Sequence, residues 1–170
     1  MEKVRKFNRA KIFIFFLLLI IVSSYITITK IVRESRLTYI NLYFTDHSND
    51  KLIIEKRVFD YGVDKVKNMK RVLQELSFGP LSNYLEPVLS YNTDILDVWL
   101  SENFVYINVN ADAFKKISNS MLSIQAMNAT VFANFPFVKK IKYLIDGKMI
   151  PTVTGFEDLS VIYLRKANWN

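Results

Sequence analysis

Hydrophobic and polar positions follow three different rhythms along this chain. From Ile12 to Ile28 there is no polar rhythm at all: IFIFFLLLIIVSSYITI holds no charge, proline or glycine. Seventeen residues at about 1.5 Å each make a helix of roughly 25 Å, near the short end of a hydrocarbon core. Its apolar surface runs all the way round, as lipid requires and a soluble core helix does not. The pattern predicts a transmembrane helix, which Ile31 and Val32 extend if Lys30 snorkels toward the headgroups.

Beyond it the rhythm turns to period two. Ile40, Leu42 and Phe44 alternate with Tyr39, Asn41 and Tyr43, which predicts a strand over 39–45. The polar cluster 46–50 then turns the chain into a second strand over 52–59, with Leu52, Ile54 and Val58 on one side and Ile53 and Phe59 on the other. A helical rhythm follows. Asp64 caps a helix to about Ser77, with Val66, Met69, Leu73 and Leu76 as its apolar stripe and Gly79-Pro80 as its stop. Strands over 95–100 and 104–109 are joined across Ser101-Glu102-Asn103, with Leu96, Val98 and Leu100 on one face and Val105, Ile107 and Val109 to match. Ala111 to Ile117 reads as a helical turn. A second helix runs from about Ser120 to Asn134 on Met121, Ile124, Val131 and Phe135, and Pro136 ends it. Lys139 to Ile145 is a strand, and Asp146-Gly147 is a tight-turn pair that should fold Met149–Val153 back onto it.

These elements define an α+β chain: an N-terminal transmembrane helix, then one mixed or antiparallel sheet of about six strands in the order ββαββαββ, with two helices on one face. The chain divides into residues 1–36, a basic start, anchor and short connector, and residues 37–170, one globular domain.

Charge sharpens this division. The formal net charge is +7. Residues 1–36 hold 8 Lys+Arg against 2 Asp+Glu, and residues 37–170 hold 15 against 14. The excess belongs to membrane insertion, so no basic footprint is left for nucleic acid. Lys3, Arg5, Lys6, Arg9 and Lys11 precede the apolar run; Lys30, Arg33 and Arg36 follow it. This bias favours a cytoplasmic N-terminus and an extracytoplasmic domain, the topology of a single-pass protein of the bacterial cytoplasmic membrane. A cleaved signal peptide shares the basic start, but its apolar region is usually shorter and ends at an A-x-A-like site. Here Ser23-Ser24 is the only adjacent pair of small residues, so the anchor is expected to remain. The chain has no cysteine, hence no disulfide, thiolate zinc site or thiol nucleophile.

Candidate chemistry is sparse. His47 is the only histidine. It sits in Asp46-His47-Ser48, where adjacency works against a triad, whose members converge from separate elements. Asp46, His47 and Asp50 as a metal site would lack supporting groups. Asp94 and Asp97, three apart on a strand, face opposite ways and make a poor glycosidase pair. Asp146-Gly147-Lys148 reads as a turn rather than a phosphate loop. Asn128-Ala129-Thr130 fits a glycosylation sequon but lies within a predicted helix. The expectation is a non-catalytic protein with no metal or cofactor.

The order of motifs resembles the GerMN domain, a bacterial sporulation and germination module. The matching stretches are Ile40-Asn41-Leu42-Tyr43-Phe44, Glu55-Lys56-Arg57, Val72-Leu73-Gln74-Glu75-Leu76 with Gly79-Pro80, Pro87-Val88-Leu89 and Val105-Tyr106-Ile107. They continue with Phe135-Pro136-Phe137-Val138-Lys139-Lys140, Leu144-Ile145-Asp146-Gly147-Lys148, and the closing Gly155, Asp158-Leu159-Ser160 and Arg165. The resemblance spans roughly residues 38–166. It implies a non-catalytic extracytoplasmic envelope module, with a fold similar to the ring-building domains of secretion and sporulation channels. Family members often carry two copies and a lipid-bearing cysteine; this chain has one copy and no cysteine. Asn108 and Ser118-Asn119-Ser120 stand where the family usually shows an acid and a Gly-Ser pair.

Function is then expected on the sheet face away from the helices. If Ile40, Leu42, Phe44, Leu96, Val98, Leu100, Val105, Ile107, Ile141 and Ile145 lie under the helices, the other face carries Tyr39, Tyr43, Ile95, Trp99, Phe104, Tyr106 and Leu144. Asn41, Asp97, Lys140 and Lys142 are interleaved with them. Tyr39, Tyr43, Trp99, Phe104 and Tyr106 are the candidate interface, for other envelope proteins or a second copy of the chain. Peptidoglycan is the alternative partner, since exposed aromatic rings also stack on sugars. The connector 81–93 or the C-terminal tail could instead cover this face.

Overall fold

The computed structural model describes residues 2–34, 37–48, 50–114, 120–149 and 162–165. The chain forms two compact units, Met1–Thr38 and Tyr39–Asn170. The first is a continuous helix, α1 (Glu2–Glu34). Within it Lys11–Thr29 is long and apolar enough to cross a membrane, at about 28 Å, and none of that stretch is buried.

The second unit places its strands in two sheets, not the single one expected. In the first sheet β1 (Leu37–Asp46) lies between β2 (Leu52–Asp60) and the two-residue β3 (Leu85–Glu86). β3 runs antiparallel to the end of β1, with Glu86 opposite Thr45 and Leu85 opposite Asp46. In the second sheet β4 (Ile95–Ser101) and β5 (Phe104–Val109) form an antiparallel hairpin. β6 (Lys140–Ile145) lies parallel to β5, and β7 (Tyr163–Leu164) antiparallel to β6. The parallel pair needs a crossover, which α3 (Ser120–Asn134) supplies.

The reason for two sheets lies in α3. Asn134 Oδ1 accepts from the Asn41 amide at 2.9 Å, and its Nδ2 donates to the Asn41 carbonyl at 2.7 Å. Thr130 Oγ1 accepts from the Tyr43 amide at 3.2 Å. Side chains of a helix thus take the place of a neighbouring strand along this edge of β1. Its backbone groups are satisfied before a strand of the second sheet could pair with them.

The helices form where their periodicity predicts. α2 (Lys65–Ser77) starts at Asp64, whose Oδ1 accepts from the amides of Val66 at 2.9 Å and Lys67 at 3.1 Å. It ends as Phe78 N–H bonds Gln74 O and Gly79 N–H bonds Leu76 O. Gly79 has φ +82°, a conformation that suits glycine. α3 is buried on most sides, so its polar residues work inside. Asn128 accepts from the buried Tyr143 hydroxyl at 2.7 Å. Burial and the nearby Tyr163 hold the Tyr143 hydroxyl well above the usual tyrosine range. Met121, expected on the apolar stripe, is exposed. The last carbonyls of α3 meet Arg165, whose Nη2 donates to Phe132 O and Phe135 O and whose Nε donates to Val138 O.

One hydrophobic cluster joins Ile40, Leu42 and Phe44 of the first sheet, Val105, Ile107, Ile141 and Tyr143 of the second, and Leu73, Ile124 and Val131 of the helices. Two expectations for β4 are corrected. A register shift between Ile95 and Asp97 turns both Ile95 and Val98 inward, so Ile95 is buried and Leu96 exposed. The Asp146-Gly147 turn forms, with φ +48° and +75° and paired bonds between Ile145 and Lys148, the geometry of a type I′ turn. The returning strand expected over Met149–Val153 falls mostly outside the described residues, as do residues 115–117 of the expected helical turn.

Candidate interface on the second sheet

The strand registers build the outer face of the second sheet row by row. Trp99 lies opposite Tyr106, and Tyr106 opposite Lys142. The next row sets Ser101 by Phe104, Phe104 by Lys140 and Lys140 by Leu164. Phe104 and Tyr106, two apart on one strand, stack with centroids 4.5 Å apart and planes 22° apart. Trp99 is 45% exposed, Phe104, Tyr106 and Lys142 are half-buried, and Lys140 is exposed. In a third row Asn108 lies between Asp97 and Leu144, and its Oδ1 accepts from the Gly147 amide at 2.8 Å. That bond fastens the type I′ turn to the sheet.

The five expected interface residues are divided between the two sheets. Trp99, Phe104 and Tyr106 come together, whereas Tyr39 and Tyr43 belong to β1 in the other sheet. Tyr39 is exposed; Tyr43 packs partly against the core, and burial raises its hydroxyl above the usual tyrosine range. Neither expected cover lies over the aromatic rows through its described residues. The connector buries Leu85, Val88 and Leu89 in the core, and β7 extends the sheet at its edge while Tyr163 packs on Tyr143 at 5.7 Å.

Several of the polar groups weighed for chemistry are held in local hydrogen bonds. His47 Nδ1 lies 2.5 Å from Glu86 Oε1, and Ser48 Oγ donates to Asp46 Oδ1. Asp97 accepts from the neighbouring Val98 amide, while the Asp94 amide donates to Asn110. Asn128 of the sequon is buried against Tyr143. Among the described residues no three His, Asp or Glu side chains could hold a metal ion. A shallow groove of about 440 Å³, missed at the level of sequence, lies between Phe78, Leu81, Leu85, Leu89 and Tyr91. It gathers apolar rims and short polar groups without an acid or base.

A helix apolar enough to cross a membrane, followed by a two-sheet α+β unit, defines the class of protein. The chain belongs to the Germane family, described as sporulation and spore germination, whose model matches residues 41–151. No curated protein matches it significantly. Solved structures agree on the fold. The tandem GerMN domains of the sporulation protein GerM from Bacillus subtilis superpose with a TM-score of 0.59 at 17% identity, over 78% of this chain and 47% of that one. The chain therefore matches about half of that tandem protein. The first GerMN domain of the same protein gives 0.50 at 19% identity, over 65% and 84%. A protein assigned as a lipoprotein from Clostridium perfringens gives 0.53 at 24% identity, over 76% and 88%.

Proposed function

We propose that this chain is a single-pass protein of the bacterial cytoplasmic membrane, whose GerMN-like domain, residues 37–170, stands outside the cell and binds other envelope proteins without catalysing a reaction. The observation that carries this reading is the outer face of the second sheet. Trp99, Phe104 and Tyr106 form a contiguous aromatic strip with Lys140 and Lys142 beside it. Aromatic anchors rimmed by charge are the composition of protein interfaces. Membrane tethering raises the effective concentration of neighbours on the same surface, so individually weak contacts suffice for assembly. The family is not known as an enzyme family, and the likeness to a lipoprotein and to a sporulation protein supports an envelope setting.

Crosslinking in intact cells tests the proposal. Trp99→Ser with Tyr106→Ser should remove the crosslinked complexes of the full chain while thermal unfolding stays within a few degrees of wild type. An unchanged crosslink pattern refutes the assignment of this face. Retention of the wild-type chain on purified peptidoglycan, lost in the same variant, would replace a protein partner by a glycan.

A further inference from the structure

The two sheets have four lateral ends, and the fold closes or shortens three of them. β3 and β7 are two residues long. β4 carries a register shift between Ile95 and Asp97, and Lys70 Nζ donates to the Leu96 carbonyl at 2.6 Å. These are the devices by which proteins blunt sheet edges. The fourth end is β2, Leu52–Asp60, nine residues long. Among the described residues, no side chain bonds the backbone along 53–59 on its outer side. Its solvent face is apolar at alternate positions, with Ile54 48% and Val58 63% exposed, and Lys56 exposed between them. Lys56 makes no ion pair among the described residues; Arg57 and Glu55 on the inner face are paired at 2.7 Å.

We infer that β2 is a docking edge that accepts one extended segment of a partner protein by strand addition, with apolar side chains beside Ile54 and Val58 and an acidic side chain beside Lys56. Strand addition draws affinity from the row of free main-chain groups and specificity from alternate side chains. The charge pattern selects the occupant. A second copy adding to β2 by a two-fold antiparallel pairing over most of its nine residues would be centred on Glu55, Lys56 or Arg57. Each of these registers sets like charges directly opposite each other, which destabilises a cross-strand pair. A foreign strand with the order apolar, acid, apolar on its solvent face meets Ile54, Lys56 and Val58 without that conflict. The inference deepens the reading of the domain as a protein-binding module, at a site separate from the aromatic strip.

Two labelled synthetic peptides, TVTDTVT and TVTKTVT, test it by fluorescence anisotropy on the full chain in mild detergent. The Asp peptide should bind the wild type saturably and about tenfold more tightly than the Lys peptide. Lys56→Glu should reverse that order. Lys56 is exposed, so the variant should unfold at the wild-type temperature. On binding, backbone amides within 53–59 should gain protection from hydrogen exchange. Failure of both peptides to bind, or an order unchanged by Lys56→Glu, overturns the inference. So does a full-chain dimer in sedimentation that Lys56→Glu abolishes, since a second copy would then occupy the edge. Trp99→Ser with Tyr106→Ser should leave peptide binding intact, which separates this site from the aromatic strip.

Discussion

Arg57 offers the sharpest test of how the first sheet is held to its helix. It sits on β2 with only 9% of its side chain exposed. Its Nε and Nη2 donate to Glu55 Oε1 at 2.8 and 2.7 Å, and Nη1 donates to the Glu75 carbonyl at 3.1 Å and Glu75 Oε2 at 3.2 Å. Nη2 also reaches Gly79 O, just past the end of α2, and the guanidinium lies 5.6 Å from the Phe44 ring centroid. Glu55, 12% exposed, accepts in turn from the amides of Leu81 at 3.0 Å and Ser82 at 3.1 Å. One guanidinium therefore joins β2, α2 and the following loop. Arg57→Met keeps the apolar length but leaves Glu55 as a buried charge without its cation. Removing one partner of such a pair costs about 3–5 kcal/mol. For a domain of this size, that corresponds to roughly 10–20 °C in Tm, read by circular dichroism of the full chain in mild detergent.

The same network has a pH signature. Burial pushes the Glu55 carboxyl up. The hydrogen bonds from Arg57, Leu81 and Ser82, with the Arg57 charge, outweigh it and hold the carboxyl below its ordinary value. A folded-state pKa below the unfolded one contributes stability above the ordinary carboxylate range, and that stability is lost as pH falls through the lowered value. In Arg57→Met the carboxyl stays buried but loses its cation, which raises its pKa, so the variant's deficit should shrink as pH falls and the carboxyl takes up a proton. Arg57→Met with Glu55→Gln should recover part of the deficit, because the uncompensated charge is gone while Gln can still accept from Leu81 and Ser82. A single variant that melts within a few degrees of wild type at neutral pH would refute the claim that this cluster ties β2 to α2.

Further predictions concern the devices that set the topology. Asn134→Ala should cost about 1–3 kcal/mol, because it orphans the Asn41 amide and carbonyl; hydrogen exchange should accelerate first at Asn41. Gly147→Ala meets no atom within 4 Å, so its expected penalty of about 1 kcal/mol is conformational, set by φ +75°; a stability-neutral result in denaturant titration would contradict the turn assignment.

The strengths and blind spots of reading the chain alone follow from what periodicity records. The apolar run from Ile12, the capped helix after Asp64, the hairpin over 95–109 and the Asp146-Gly147 turn depend on neighbours in sequence, and each formed where its local pattern placed it. Asn134 and Thr130 carry no local mark of their role as a surrogate strand for β1, since their partners lie 93 and 87 residues away. That substitution divided the expected single sheet in two and separated Tyr39 and Tyr43 from Trp99, Phe104 and Tyr106. Likewise the alternation of β2 marked two faces without saying which is inner. Arg57, a cation in sequence, is buried because Glu55, Glu75 and the end of α2 surround it, leaving Ile54 and Val58 outside. Short-range chemistry writes helices, turns and alternation into a sequence. The choice of which polar group closes which edge is made between residues far apart in the chain, where burial makes an unpaired group costly.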